Sequence, residues 1–309
     1  KTGDVATYTN IENDKTSLSA HSVRAAFEDS HGQLWVGTYG GGLHRFEADT
    51  GTFTRFEHDA SDTATISGNE VTSIYEDSSK RLWVGTTEGL NLVNRDTGKF
   101  VRYVGSKEDA TTLADNSITE IFEDRGGILW VGTKTKGLSK WNSRTWAYGL
   151  EPGKEITARQ DANPVVTSFT TDSSGRLWIG TFGEGVNAVD RSTGEIVRYR
   201  HDPENNQSIS DDRVMSLLRD SSGKIWIGTM TKGIDRLDPV SGQIDRFRFN
   251  ADDPTSLSAN GIMALYEDSA GQVWVGTFGG GISRFNSDSQ TFDRFANDPS
   301  NPNLSLIHI

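Results

Sequence analysis

Short stretches of alternating hydrophobic and polar residues recur along the chain, and turns rich in glycine and aspartate separate them. Residues 71–75 (VTSIY) form one such stretch. An alternation with a period of two residues predicts a β-strand with one buried face. No segment offers an amphipathic helix long enough to connect parallel strands, so we expect the strands to pair antiparallel. The sequence therefore predicts an all-β protein.

A five-residue core recurs six times, as in residues 34–38 (LWVGT) and 225–229 (IWIGT). The tryptophans of these segments are Trp35, Trp83, Trp130, Trp178, Trp226 and Trp274. The glycines two residues after them are Gly37, Gly85, Gly132, Gly180, Gly228 and Gly276. Successive tryptophans are 48, 47, 48, 48 and 48 residues apart. A fixed period of this size is typical of an array whose unit is one supersecondary element.

Each unit is interpreted as four short strands, A to D. Strand B carries the tryptophan, a glycine-bearing hairpin leads to strand C, and a second turn opens strand D. Such units are typical of the four-stranded antiparallel blades of a β-propeller. Both faces of strand B carry apolar side chains, so neighbouring blades must cover them. We infer that each glycine leaves room for a large side chain from the adjacent blade.

The repeat also sets the expected domain boundaries. Residues 1–303 are predicted to form a single propeller domain with six complete units of about 48 residues each. Residues 2–8 (TGDVATY) align with residues 50–56 (TGTFTRF), which indicates strand D of a preceding blade. Residues 304–309 (LSLIHI) resemble the translation of a sequencing-library adapter. This tail is hypothesised to be non-native or truncated.

An acidic turn, the LWVGT core, a glycine-rich hairpin and a Thr-Gly-x-Phe-x-Arg strand together resemble the two-component regulator propeller repeat. The resemblance extends from Thr2 to about Asn303. It implies a truncated seven-bladed ring from the periplasmic or extracytoplasmic part of a bacterial inner-membrane protein. It further implies a ligand-sensing module of a signal-transduction receptor, with a second propeller or a downstream signalling domain as partner in the same protein. The module itself is then not an enzyme, although such receptors carry a kinase or cyclase domain.

The B-to-C hairpins vary between units and share one face with the D-to-A connections, which makes this face the candidate binding surface. Aromatic stacking is assigned to Tyr39, Phe182 and Phe278. Polar contacts are assigned to Lys134, Lys136, Glu184 and Lys232. A small molecule is a possible ligand, and the family resemblance adds an oligosaccharide. The alternative is that these residues are solvated hairpin tips.

The third unit departs from the repeat. Residues 142–145 (NSRT) replace its usual aspartate-to-glycine turn and lie between Trp141 and Trp146. Two interpretations stay open. The indoles could fill the gap to an adjacent blade, as core aromatics do. They could instead form a contact with a second propeller or another domain, because exposed aromatic side chains are common interface anchors.

Composition narrows the possible partners. The chain has 31 Lys and Arg against 43 Asp and Glu, a net charge of −12. This charge disfavours nucleic acid and anionic membrane surfaces as partners. The chain contains no cysteine, which excludes thiolate metal sites and a cysteine nucleophile. No apolar run approaches the ~20 residues that span a bilayer, so direct membrane insertion by this segment is not expected.

Catalytic and metal sites are not predicted. Acidic pairs such as Glu28-Asp29 and Glu76-Asp77 recur once per unit, so they are interpreted as turn formers and solvated charge rather than a catalytic pair. The six histidines lack metal-ligand spacing, and no nucleophile elbow or phosphate loop occurs. No cofactor is expected. A non-catalytic scaffold or adhesion propeller and a propeller lyase or hydrolase remain alternative functions.

Overall fold

The computed structural model describes residues 6–20, 22–106, 112–142, 147–150, 165–190 and 192–295. The chain divides into two compact units, which we call the first unit, mainly Ala6–Gly153, and the second unit, mainly Lys154–Ile307. All regular elements in the described residues are β-strands.

The first unit contains three four-stranded sheets, blades 1 to 3. Blade 1 consists of β1 (Val23–Glu28), β2 (Leu34–Thr38), β3 (Leu43–Glu47) and β4 (Thr52–Phe56). Blade 2 consists of β5 (Val71–Glu76), β6 (Leu82–Thr86), β7 (Gly89–Asn94) and β8 (Lys99–Tyr103). Blade 3 consists of β9 (Ile118–Glu123), β10 (Leu129–Thr133), β11 (Leu138–Asn142) and β12 (Ala147–Leu150). Each sheet keeps chain order, and every neighbouring pair is antiparallel.

The second unit repeats this arrangement in blades 4 to 6. Blade 4 consists of β13 (Val165–Thr171), β14 (Leu177–Phe182), β15 (Val186–Val189) and β16 (Ile196–Tyr199). Blade 5 consists of β17 (Val214–Arg219), β18 (Ile225–Thr229), β19 (Ile234–Leu237) and β20 (Ile244–Phe247). Blade 6 consists of β21 (Ile262–Glu267), β22 (Val273–Thr277), β23 (Gly281–Asn286) and β24 (Thr291–Phe295). The predicted fold class, an all-β propeller with six blades of four antiparallel strands, is confirmed.

Four of the glycines two residues after a tryptophan lie where two blades approach each other. A Cβ atom on Gly85 would stand 2.7 Å from Ile118 of the next blade, and one on Gly228 would stand 2.6 Å from Ile262. Gly37 faces Val71, and Gly180 faces Val214, in the same way. Because a β-branched side chain fills each of these notches, a residue larger than glycine would force the blades apart.

The tryptophans are anchored by the acidic turn that precedes them. In each of the six repeats, the indole Nε1 of the strand B tryptophan donates a hydrogen bond to the aspartate six residues earlier. The distance is 2.8 Å from Trp83 to Asp77 and 3.0 Å from Trp178 to Asp172. The same bond joins Trp35 to Asp29, Trp130 to Asp124, Trp226 to Asp220 and Trp274 to Asp268. Asp77 is only 2% exposed. Asp29 and Asp124 are 4% exposed each. The interpretation of these three aspartates as solvated charge is therefore wrong, although they do form the turns.

The glutamate of an acidic pair joins neighbouring blades. Within the first unit, the Ser30 backbone N–H donates to Glu76 at 2.9 Å, and the Ser78 N–H donates to Glu123 at 2.6 Å. In the second unit the Ser221 N–H donates to Glu267 at 2.9 Å. Each carboxylate thus closes one turn of the preceding blade, and this role depends on packing between repeats.

Trp141 is buried, with 1% of its surface exposed. Its ring centroid lies 5.3 Å from that of Trp83 in the neighbouring blade, and the Arg81 guanidinium stands 4.4 Å from its ring centroid. This is the placement required by the interpretation that the indole fills the gap between blades. Trp146 lies outside the described residues.

Candidate functional site

The hairpins between strands B and C form the exposed part of the predicted binding face. In the first unit, Tyr39 is 51% exposed and the Arg24 guanidinium lies 5.1 Å from its ring centroid. Lys134 and Lys136 are exposed on the hairpin of blade 3. These side chains are accessible to a ligand, and their role in binding stays a prediction.

The second unit presents a more apolar set of hairpins. Phe182 is 40% exposed and Phe278 is 73% exposed, and Met230 occupies the corresponding place in blade 5 with 43% exposed. Lys232 is also exposed. Glu184 is partly buried and forms an ion pair with Arg200 at 2.6 Å.

Backbone contacts place the three apolar tips next to each other along successive blades. Phe182 forms a β-bridge with Arg213 of the next blade, and the carbonyl of Arg213 accepts the Met230 N–H at 2.9 Å. The Phe278 N–H donates to the carbonyl of Gly261 at 2.7 Å. A Cβ atom on Gly261 would lie 3.1 Å from both the Met230 carbonyl oxygen and the Phe278 Cβ. We call Phe182, Met230 and Phe278 the hairpin strip. Sequence reasoning missed Met230, whose signal was its position directly after the Ile-Gly-Thr of β18.

The connections between strand D and the next strand A are tied down by arginines. Arg102 donates from Nε to the carbonyl of Thr65 at 2.6 Å and from Nη2 to that of Asp62 at 2.8 Å. Arg294 likewise donates to the carbonyl of Asp253 at 2.7 Å. Arg55 and Arg246 make comparable bonds to the connections in front of their own blades. These long polar loops are therefore organised by main-chain hydrogen bonds.

A buried polar side chain in strand C holds the same connections from inside. It is His44, Asn91, Ser139, Asp235 or Ser283, and each is 0% exposed. The Ser67 N–H donates to Asn91 at 2.9 Å, and the Ser210 N–H donates to Asp235 at 2.6 Å. Sequence reasoning missed this position. The available signal was a polar residue directly after the apolar residue that opens each strand C.

His44 fills this position with a titratable ring. Its Nε2 accepts the Ser19 N–H at 3.0 Å, so the proton of the neutral ring is assigned to Nδ1, which lies 3.3 Å from the Val36 carbonyl oxygen. Burial, with a smaller contribution from the charge of Arg55, lowers the pKa of His44 to about 4, although hydrogen bonds to the backbone of Val36 and Gly42 oppose the shift. The imidazole is thus a neutral structural acceptor at physiological pH.

Glu120 is a second group with a strongly shifted pKa in the described part of the first unit. It lies on β9 opposite Gly132, at the register shift of this strand, where the other two blades carry Ala25 and Ser73. Burial raises its pKa to about 7, and a hydrogen bond from the Ile121 N–H opposes the shift. A carboxyl with this pKa changes its charge near neutral pH.

One group of potential metal ligands comes together in the described part of the chain: Asp29, His31 and Glu76. Both carboxylates are already bound by Arg95, whose Nε lies 2.9 Å from Asp29 and whose Nη2 lies 2.6 Å from Glu76. Burial alone would raise the pKa of Asp29, but hydrogen bonds from Trp35, the Gln33 N–H and Arg95 lower it overall. The geometry is that of an ion-paired clamp between blades 1 and 2.

Two models of known protein families match parts of this chain. The family model described as the SMP-30/Gluconolactonase/LRE-like region matches residues 24–266. The model described as the two component regulator propeller matches residues 256–279. Among curated proteins, no sequence matches the chain significantly.

Solved structures with the same fold include the extracellular domains of two putative hybrid two component systems. The extracellular domain of the putative hybrid two component system BT3049 from B. thetaiotaomicron superposes with a TM-score of 0.78 and 22% identity over 98% of this chain. The corresponding domain of BT4673 gives a TM-score of 0.52 and 20% identity over 96% of this chain. This chain spans 38% and 44% of the length of those two proteins.

An enzyme shares the fold as well. Virginiamycin B lyase from Staphylococcus aureus superposes with a TM-score of 0.64 and 15% identity, over 94% of this chain and 87% of the lyase.

Among the described residues, none lies in a helix with the length and hydrophobicity that a membrane span requires.

Proposed function

The chain belongs to the family described as the SMP-30/Gluconolactonase/LRE-like region, and we propose that it is the ligand-sensing extracytoplasmic module of a bacterial signal-transduction receptor. The match of residues 256–279 to the two component regulator propeller supports this assignment. The resemblance to receptor ectodomains supports this proposal. The neighbours BT3049 and BT4673 are described as extracellular domains of putative hybrid two component systems.

The observation that carries the proposal is the exposed hairpin strip on a tightly bonded frame. Apolar side chains at hairpin tips gain free energy when a ligand covers them, roughly 25 cal/mol for each Å² removed from water. The backbone bonds of Met230 and Phe278 hold these tips before a ligand arrives. A preformed surface loses less conformational entropy on binding than a flexible one.

The ligand class follows from the mixed chemistry of the hairpins. Phe182 and Phe278 offer flat apolar faces, and Lys232 offers a hydrogen-bond donor on the same face. We propose a small molecule or an oligosaccharide as ligand of the hairpin strip. Within the first unit, the hairpins of Tyr39, Lys134 and Lys136 are proposed separately as ligand contacts. A second propeller or a signalling domain of the same protein is the proposed partner that receives the signal.

Binding can be tested with a panel of defined oligosaccharides and isothermal titration calorimetry. The triple variant Phe182→Ser, Met230→Ser, Phe278→Ser is expected to weaken binding at least about tenfold. The matched control is Val240→Ser, because Val240 is 92% exposed on a turn between strands C and D, at the other end of its blade. Equal affinities of the triple variant and the unchanged chain would refute the assignment of the strip. Binding of a protein partner alone would favour the scaffold or adhesion alternative.

A propeller lyase or hydrolase is the second candidate, and one contact favours it. Ser19 Oγ lies 2.8 Å from His44 Nε2, the arrangement of a hydroxyl beside a base. Two other observations favour a structural role for this pair. His44 is fully buried, and Asn91 binds the equivalent Ser67 in blade 2. The unchanged chain is expected to leave aryl esters and lactones intact. Turnover that disappears in Ser19→Ala would establish the enzymatic candidate instead.

A further inference from the structure

Where one blade follows another, the last residue of strand A can reach the turn between strands A and B of the preceding blade. At three of these interfaces the residue is a glutamate, and its carboxylate accepts a hydrogen bond from that turn. The pairs are Glu76 with the Ser30 N–H at 2.9 Å, Glu123 with the Ser78 N–H at 2.6 Å and Glu267 with the Ser221 N–H at 2.9 Å. The position thus supplies an acceptor between two blades.

Arg219 takes this position in blade 5. It pairs with Ile225 in the sheet, just as Glu267 pairs with Val273 in blade 6. Val214, at the start of the same strand, lies over the strand B glycine of blade 4, so the two blades pack like the others. This register places Arg219 beside the turn of blade 4.

The exchange of glutamate for arginine puts a donor where the other interfaces have an acceptor. Nε of an arginine and Oε of a glutamate are separated from Cα by the same number of bonds. Nε of Arg219 is buried, and within the described residues the side chain makes no hydrogen bond or ion pair. A buried donor without an acceptor costs free energy, and the cost is larger for a charged group. An acceptor from outside the chain would remove this cost.

The acids of the two adjoining turns do not supply that acceptor. Asp172 accepts the indole N–H of Trp178 at 3.0 Å, and Asp220 accepts that of Trp226 at 2.7 Å. Both carboxylates also bind backbone N–H groups of their own turns. They are engaged within their own blades, so the guanidinium of Arg219 keeps its donors for another partner.

A negative charge is compatible with this place between two blades. Glu267 lies there at the interface of blades 5 and 6, and it has no ion pair with a basic side chain in the part of the chain that the structure describes. Between blades 4 and 5 the anion would have the Arg219 guanidinium as its partner. The fork of N–H donors on a guanidinium matches two oxygen atoms of a carboxylate or a phosphate. An oxyanion therefore fits both the charge and the donors of this position.

We propose that Arg219 is the centre of a binding site for a small oxyanion, a carboxylate or a phosphate, between blades 4 and 5. The anion supplies at this interface the oxygen atoms that glutamates supply at the others. Ser173 and Ser174 in the turn of blade 4 are exposed, which leaves this edge of the interface open to solvent. The site lies at the opposite end of strand A from the hairpin strip, and it is independent of the sensing function.

Stability at constant ionic strength tests the site. Urea denaturation is followed by tryptophan fluorescence in chloride, in acetate and in inorganic phosphate, each at up to about 100 mM. A bound anion stabilises only the folded chain, so acetate or phosphate should raise the ratio of folded to unfolded protein at least about threefold over chloride. The larger gain identifies the preferred ion. In Arg219→Gln the gain should disappear, and equal gains in both proteins would overturn the proposal.

A matched exchange moves the site from one interface to the next. Arg219→Glu supplies the carboxylate of the other interfaces, so its stability should no longer respond to acetate or phosphate. Adding Glu267→Arg to this variant removes the acceptor of the Ser221 N–H and places a guanidinium beside it. This double variant should regain the response. A folded Arg219→Glu chain that still responds, or a folded double variant that does not, would contradict the proposal.

The Nε–H group of Arg219 gives a direct readout by NMR. Its resonance is assigned by its absence from the spectrum of Arg219→Gln, and it should shift on addition of acetate or phosphate but not of chloride. An unchanged resonance would mean that a buried water molecule accepts this hydrogen bond, and the proposal would be wrong.

Discussion

Lowering the pH from 7.5 to 4.5 should weaken blade 1, and His44 should account for a separable part of the loss. Its pKa is lowered from 6.5 to about 4 by burial, and its Nε2 accepts a hydrogen bond from the Ser19 N–H. A proton on Nε2 abolishes this bond and places a charge in a site that is 0% exposed. The unfolded chain therefore takes up a proton at a higher pH than the folded chain does.

The sign and size of the effect follow from linkage. Because the pKa is lower in the folded state, the contribution of His44 is complete above pH 6.5 and is lost as the pH falls towards 4. A shift from 6.5 to about 4 corresponds to roughly 3 kcal/mol of unfolding free energy. Most of this, about 2.5 kcal/mol, should already be lost at pH 4.5.

Urea denaturation of the unchanged chain and of His44→Asn measures the effect, because other groups titrate equally in both proteins. Asparagine is the matched replacement, since Asn91 makes the same bond in blade 2. At pH 7.5 the two proteins should differ by no more than about 1 kcal/mol. Between pH 7.5 and pH 4.5, the stability of the variant relative to the unchanged chain should rise by about 2 kcal/mol. Parallel loss of stability in both proteins, or a His44 pKa near 6.5 by NMR titration, would refute the reasoning.

Three further predictions concern blade packing and the second shifted group. Gly228→Leu should lower the free energy of unfolding by about 3 kcal/mol, because even a Cβ would stand 2.6 Å from Ile262. The control Gly276→Ala, whose Cβ has no neighbour nearer than 3.5 Å, should change the melting temperature little. Similar effects of both variants would contradict the role of Gly228 in packing against the next blade. Asp77→Ala should cost about 3 kcal/mol in urea denaturation by leaving the Trp83 Nε1–H and the Ser79 N–H unpaired, whereas Asp96→Ala, on an exposed turn, should cost less than about 1 kcal/mol. Glu120→Gln should stabilise the protein by roughly 2 kcal/mol at pH 8.5 and hardly at pH 5, because the raised pKa of Glu120 makes its ionisation above about pH 7 destabilising. A difference in stability that does not depend on pH would count against the raised pKa.

The blades were predictable because their packing repeats with the sequence. Trp83 and Gly85 recur with one period, and each position meets the same surroundings in the next blade, as the contact of Gly85 with Ile118 shows. The bond from Trp83 to Asp77 was not predicted, since an acid in a turn is consistent with exposure until the fold buries it. The bond from the Ser67 N–H to Asn91 spans 24 residues, and no local alternation encodes a contact of that range.

The candidate site was predictable to a different degree. Exposure of Tyr39, Phe182 and Phe278 followed from hairpin geometry, because tips of B-to-C hairpins extend beyond the sheet. The place of Met230 between Phe182 and Phe278 depends on bonds through Arg213 and Gly261, which lie on a different connection of the chain. Such a contact between distant segments of the chain can be recognised only in the three-dimensional structure.

If the proposed ligand binding holds, the different roles of the loops explain how this scaffold could change its ligand without changing its fold. Positions that hold the connections, such as Arg102 and Asn91, are fully engaged with backbone groups, so a substitution there leaves donors or acceptors unpaired. Phe182 and Phe278 are 40% and 73% exposed, so a substitution there mainly changes the surface that the hairpins present to solvent. Within this chain the same hairpin position already carries tyrosine, threonine, lysine, phenylalanine or methionine. On the proposed function, we therefore expect ligand specificity to vary at the hairpin tips, where an exposed side chain can change without leaving backbone groups unpaired.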